Sequence, residues 1–131
     1  GSTIFAKSNL TGGTGKITIH NDILPSGSNS FAIPAGETLG FVAKDEIGIG
    51  TGKTDPHLRV AGAFFAENKI RSTKQNIVAG TFVSNYLDMG TNNPTIIQVP
   101  DLANNLPPGL PGSNKITIPS GIKVISWREI L

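Results

Sequence analysis

Gly48-Ile49-Gly50-Thr51-Gly52-Lys53-Thr54 has the ingredients of a phosphate-cradling loop: backbone N–H groups left accessible by glycine, and a lysine to meet the anion. The spacing denies it. That pattern needs a glycine five residues before Gly52, where Ile47 stands, and Asp55-Pro56 blocks the helix whose N-terminus would hold the phosphate. A β-turn loop is the reading that remains. His20 with Asp22, and Asp55 with His57, are the His/carboxylate pairs. On an extended strand, residues two apart share a side, as two metal ligands require. Two ligands do not make a site, and no third residue has matching spacing, so solvent-facing turn residues are expected and no metal or cofactor is assigned.

Asp45, Glu46, Glu67 and Asp88 could stack as the paired carboxylates of a polysaccharide-cleaving enzyme, but they occupy unequal places in the repeats described below. No catalytic residue is assigned, and the expectation is a protein that is not an enzyme. Lys69, Arg71 and Lys74 stand close together, with Lys44 one repeat earlier. Such a patch could hold DNA phosphates or anionic surface glycans; the plainer reading is solubilising charge. Tyr86, the sole tyrosine, falls at a polar position of its repeat and is expected to expose its ring.

The elements that would position these residues are repeats. Phe5-Ala6-Lys7-Ser8-Asn9-Leu10, Val42-Ala43-Lys44-Asp45-Glu46-Ile47, Phe65-Ala66-Glu67-Asn68-Lys69-Ile70 and Phe82-Val83-Ser84-Asn85-Tyr86-Leu87 share one pattern. Their first residues lie 37, 23 and 17 positions apart, and the long gap holds a degenerate copy at Lys16–Ile23. Self-similarity at a period near 20 residues marks units that bury their apolar face by stacking on neighbours. Within units the period is two (Ile17/Ile19, Ile47/Ile49, Ile116/Ile118), with β-branched residues dominant. Gly12-Gly13, Pro34-Ala35-Gly36 and Gly90-Thr91-Asn92-Asn93-Pro94 supply turns, and Ala43, Ala61, Ala66 and Ala79 fit tight corners.

These features predict an all-β right-handed parallel β-helix, a solenoid with turns of roughly 17–23 residues and the handedness general to parallel crossovers. A jelly roll or Greek-key sandwich is the structural rival. Phe5, Val42, Phe65 and Phe82 would form one inward stack, and Leu10, Ile47, Ile70 and Leu87 a second. Residues 3–94 are read as repeat turns and 95–131 as an extended C-terminal cap. That cap includes a proline-rich wrap around Leu106-Pro107-Pro108-Gly109-Leu110-Pro111-Gly112, with Trp127 covering core. Gly1-Ser2 reads as a cloning scar.

The 131 residues suit one domain, with only 15% charged residues, 16 glycines and 9 prolines. A net charge of +2 does not demand wholesale nucleic-acid binding, and the absence of cysteine excludes disulfides and thiolate metal sites. No run approaches the length of a membrane span. Because the first repeat starts at Phe5, the expectation is a fragment of a longer protein whose open first turn can associate end to end with another copy.

Gly62-Ala63-Phe64-Phe65-Ala66, the stretch from Gln75 to Met89, and Gln98-Val99-Pro100, Leu106-Pro107-Pro108-Gly109-Leu110-Pro111-Gly112 and Ser126-Trp127-Arg128-Glu129 together resemble the C-terminal β-solenoid region of PilX-type pilus-assembly proteins, large minor-pilin-like bacterial surface proteins of type IV pilus systems. The resemblance runs from about residue 38 to 131 and carries no catalytic motif. It implies a domain outside the cell or at its surface, anchored through a membrane segment lying elsewhere, without membrane contact of its own. The function it implies is structural or adhesive display among other pilus or cell-surface proteins. The alternatives are a DNA- or glycan-binding module using Lys44, Lys69, Arg71 and Lys74, and a carbohydrate-active β-helix.

Overall fold

A computed structural model describes residues 1–7, 14–25, 38–100, 102 and 106–110. Seven strands follow in chain order: β1 (Ser2–Ala6), β2 (Ile17–Ile19), β3 (Leu39–Ala43), β4 (Glu46–Ile49), β5 (Arg59–Ser72), β6 (Ile77–Asp88) and β7 (Thr95–Ile97). All pair parallel in one sheet, ordered β1-β3-β5-β4-β2, with β6 on β5 and β7 on β6. Among the described residues no helix is long and apolar enough to cross a membrane.

The expected right-handed parallel β-helix is thereby corrected: the strands form a single seven-stranded parallel sheet curled into a half-barrel. Repetition dictates parallel, in-register pairing, because like residues stack on like. It does not dictate how each unit is divided at corners. β5 runs through 14 residues as one strand, though its ladder shifts register between Ala66 and Lys69. A straight strand of that length would span about 46 Å. Only residues 73–76 join β5 to β6, a reach of about 15 Å. The strand must therefore curl for β6 to return to its side. Of the alanines expected at corners, Ala61 and Ala79 sit inside strands, while Ala43 ends β3 and Ala66 borders the register shift in β5; all four are buried, Ala43 paired with Ala66 and Ala61 with Ala79.

The concave face holds the core: Phe41, Ile47, Ile49, Leu58, Val60, Phe64, Ile70 and Val78, with Ile19 at one end. Phe41, Phe64 and Phe82 occupy one register column, and their rings stack at centroid separations of 5.1 Å. That distance follows from the strand spacing of about 4.8 Å.

The expected inward stacks need two corrections. The true column through the first three copies is Phe5–Val42–Phe65, but it continues to Val83 rather than Phe82. It also lies on the convex face, with Phe5 52% and Val83 49% exposed. In a strand, a slip of one residue moves a side chain to the opposite face, so in the copies that begin at Val42 and Phe65 the inward residue is the one before the first, Phe41 and Phe64, in line with Phe82, the first residue of its own copy. Ile47, Ile70 and Leu87 do share the second column, which begins at Ile17, yet Leu87 at its end is exposed. Leu10 and Trp127 lie outside the described residues.

Two glycines and an asparagine pin the curl. Gly80 pairs with Gly62 at φ +153°, and a Cβ on Gly80 would lie 1.7 Å from the Gly62 carbonyl oxygen, so only glycine permits that approach. Gly50, at φ +61°, turns the chain out of β4 beneath Asn76. Asn76 is fully buried. Its Oδ1 accepts from the Leu58 N–H at 2.9 Å, and its Nδ2 donates to the Ile49 carbonyl at 3.0 Å and to Ser72 Oγ at 2.8 Å.

On the convex face, Leu102 and Leu110 are buried against Ala63, with Val42, Phe65, Val99 and Leu106 around them. Thr3 donates its hydroxyl to the Pro108 carbonyl. A Cβ on Gly109, at φ +86°, would lie 2.5 Å from the Phe5 ring.

Candidate functional site: an apolar groove on the convex face

The outward column Phe5–Val42–Phe65–Val83 is a product of the ladder: four parallel strands each present one apolar side chain at the same height. The chain through Leu106–Leu110 covers one flank of it, packing on Ala63 and Phe65. Among the described residues, what remains uncovered is a groove of about 330 Å³ lined by Phe5, Val42 and Phe65 with Lys7, Lys44 and Glu67. A second hollow of about 270 Å³ continues past Phe65 to Val83, Ser84 and Asn85. Lys44 and Glu67 form an ion pair along the rim, both side chains about half exposed. The site is thus an apolar floor with a charged border, which suits apolar contact.

The expected anion patch is distributed differently. Lys44 is on this rim, paired with Glu67. Lys69 and Arg71 flank the nearly buried Glu46 carboxylate, Lys69 Nζ at 3.5 Å and Arg71 Nη1 at 3.7 Å, while Lys16 Nζ completes the set at 3.5 Å. Arg71 Nε also approaches Asp88 at 3.3 Å, without hydrogen-bond alignment. Lys74 Nζ donates to the Lys53 carbonyl at 3.3 Å. Three of the four bases therefore neutralise carboxylates. A carboxylate withdrawn from water needs such partners, and these bases lie within reach because β4, β5 and β6 are adjacent.

The four candidate carboxylates are engaged in the same way. Glu46, Glu67 and Asp88 are in the ion pairs just given; Asp45 accepts from Asn68 Nδ2 at 2.8 Å and lies 3.8 Å from Lys16. Spacing along the chain does not reveal these pairings, which are set by neighbours one strand away.

His20 and Asp55 meet each other rather than their near neighbours in sequence. His20 Nδ1 lies 2.8 and 3.0 Å from the two Asp55 oxygens, and Gly52 N–H donates to Asp55 Oδ2 at 2.7 Å. Asp22 instead receives the Arg59 backbone N–H at 2.8 Å and its guanidinium at 3.1 Å. Among the described residues no group of three or more His, Asp or Glu side chains could hold a metal ion. Gly48 and Ile49 end β4, and the loop from Gly50 to Thr54 is closed by Asp55, whose backbone N–H donates to the Gly52 carbonyl at 3.2 Å. Tyr86 is 61% exposed.

The hydrogen bond from His20, followed by that from Gly52, holds the Asp55 carboxyl below its ordinary value of 3.8. A carboxyl whose folded-state pKa is depressed adds stability above its unfolded value, and that stability is lost as pH falls through the folded value. Acid titration should therefore show a stability loss starting near pH 4 and continuing below it. Asp55→Asn should be less stable at neutral pH and have a shallower acid limb. An Asp55 carboxyl titrating at or above the free value by NMR would contradict this account.

No family model, curated protein or solved structure matches the chain.

Proposed function

We propose that the chain is a non-enzymatic structural and adhesive module displayed outside the cell by a type IV pilus-related surface protein. The observation that carries the reading is the apolar groove over Phe5, Val42 and Phe65, left uncovered among the described residues, on a face that strand pairing holds rigid. Binding groups on a preformed sheet lose little freedom on contact, which favours adhesion. The PilX-type residue series between Gly62 and Glu129 supports the surface assignment.

The DNA- or glycan-binding alternative has less support, because Lys44, Lys69 and Arg71 are matched by carboxylates, and a polyanion would have to displace those partners. Two measurements on the 131-residue chain separate the readings. Microspheres coated with it should attach to alkylated surfaces and lose attachment when Phe5 and Phe65 are replaced by serine, with little effect of salt. Retention on immobilised DNA that falls steeply with salt, together with attachment unaffected by the two serines, would replace the adhesive reading with the nucleic-acid one.

A further inference from the structure

We infer that copies of this chain stack head to tail, with β1 and β2 of one copy pairing in parallel with the open edge of β6 in the next. Among the described residues, β1 has a partner on one side only, β3, and β6 beyond Ala79 has a partner on one side only, β5. β7 covers Ile77, Val78 and Ala79 and stops there.

The two open edges match in register. Within the sheet, Thr3–Ala6 lies in line with Gly40–Ala43, then Ala63–Ala66, then Thr81–Ser84. Ile17 and Thr18 lie in line with Ile47 and Gly48, then Ile70 and Arg71, then Leu87 and Asp88. A second copy whose β1 sits on Thr81–Ser84 occupies the stretch that β7 leaves free, and its Ile17 then falls on Leu87. Each column continues without a break: Phe82 to Ile4, Val83 to Phe5, Leu87 to Ile17. The contact repeats the pairing already made by β1 and β2 on β3 and β4.

The edge chemistry agrees. Natural sheet edges are protected by lysine, proline or inward charge, yet Ser2–Ala6 and Thr81–Leu87 contain neither a charged residue nor a proline. Large apolar side chains are exposed at both: Ile4 48% and Phe5 52% on one, Val83 49% and Leu87 44% on the other. Parallel strands are otherwise found covered. Because the two surfaces differ, the contact is heterologous and propagates rather than closing as a two-fold dimer.

Sedimentation of the 131-residue chain across a concentration series tests this. Wild type should grow past the dimer as concentration rises. Val83→Lys and Ile4→Lys should each lose self-association, and far-UV circular dichroism and melting should show both folded. If Ile4→Lys fails that control, Ile17→Lys blocks the same edge. An equimolar mixture should form a one-to-one heterodimer and stop there, because Val83→Lys retains an intact β1 edge and Ile4→Lys an intact β6 edge. A wild type that stays monomeric at high concentration, variants that assemble like wild type, or a mixture that stays monomeric would each overturn the inference.

Discussion

Phe64→Ala should lower the unfolding free energy by about 3–5 kcal/mol, the range for deleting a buried aromatic side chain from a core. Phe64 is 1% exposed and lies between Phe41 and Phe82, with a ring 5.1 Å away on either side. Those neighbours are fixed on paired strands, so neither can collapse into the space without breaking the ladder, and the cavity term stays large. Phe65→Ala, one position along, removes a half-buried ring from the convex face and should cost a fraction as much. Urea unfolding of both variants measures the contrast. Equal losses, or a greater loss at Phe65, would show that the faces of β5 have been assigned the wrong way round.

The second large effect is expected at Asn76. Asn76→Ala removes the acceptor for the Leu58 N–H and the donor for the Ile49 carbonyl and Ser72 Oγ. These groups are buried, and a methyl cannot replace either bond, so a loss of about 2–4 kcal/mol is expected from the groups left unsatisfied. The loss should be local as well as global. Asn76 joins the Gly50–His57 loop exit to the β5–β6 connection, and its own carbonyl accepts the Thr95 N–H at the start of β7. Amide exchange at Leu58 and Thr95 should accelerate more than at Val60 or Phe64. Unchanged exchange at Leu58 would mean that water or another group satisfies its N–H, and the asparagine would lose its assigned role.

Asn76 also shows where sequence reading stops. It sits in a polar stretch between two apolar runs, Thr73-Lys74-Gln75-Asn76, with nothing to distinguish it from an exposed turn residue. Its burial depends on β5 curling, and that depends on the joint length of β5 and the short connection to β6. The same holds for His20 and Asp55, which are 35 residues apart and meet only because the Gly50–His57 loop returns beside β2. Reading each histidine beside its nearest aspartate misses the His20–Asp55 contact, since local spacing cannot report a contact made across strands.

What the sequence by itself determined was the period, the strand content and the pairing partners. Apolar residues alternating with a period of two can bury one face only as strands, and similar copies stack in register because that brings like side chains together. Phe5 over Val42 over Phe65, and Ile47 over Ile70 over Leu87, were legible on those grounds. Tertiary structure decided the rest: which face turns inward, the continuation of the Phe5 column to Val83, and a curled single sheet in place of a coil with corners. Both faces of these strands carry apolar residues, as in Val60-Ala61-Gly62-Ala63-Phe64-Phe65-Ala66, so alternation alone cannot choose between them. The choice falls to bulk and cover: stacked Phe41, Phe64 and Phe82 fill the concave side, while, among the described residues, Leu102, Leu106 and Leu110 pack over part of the convex side and leave the groove open beside them.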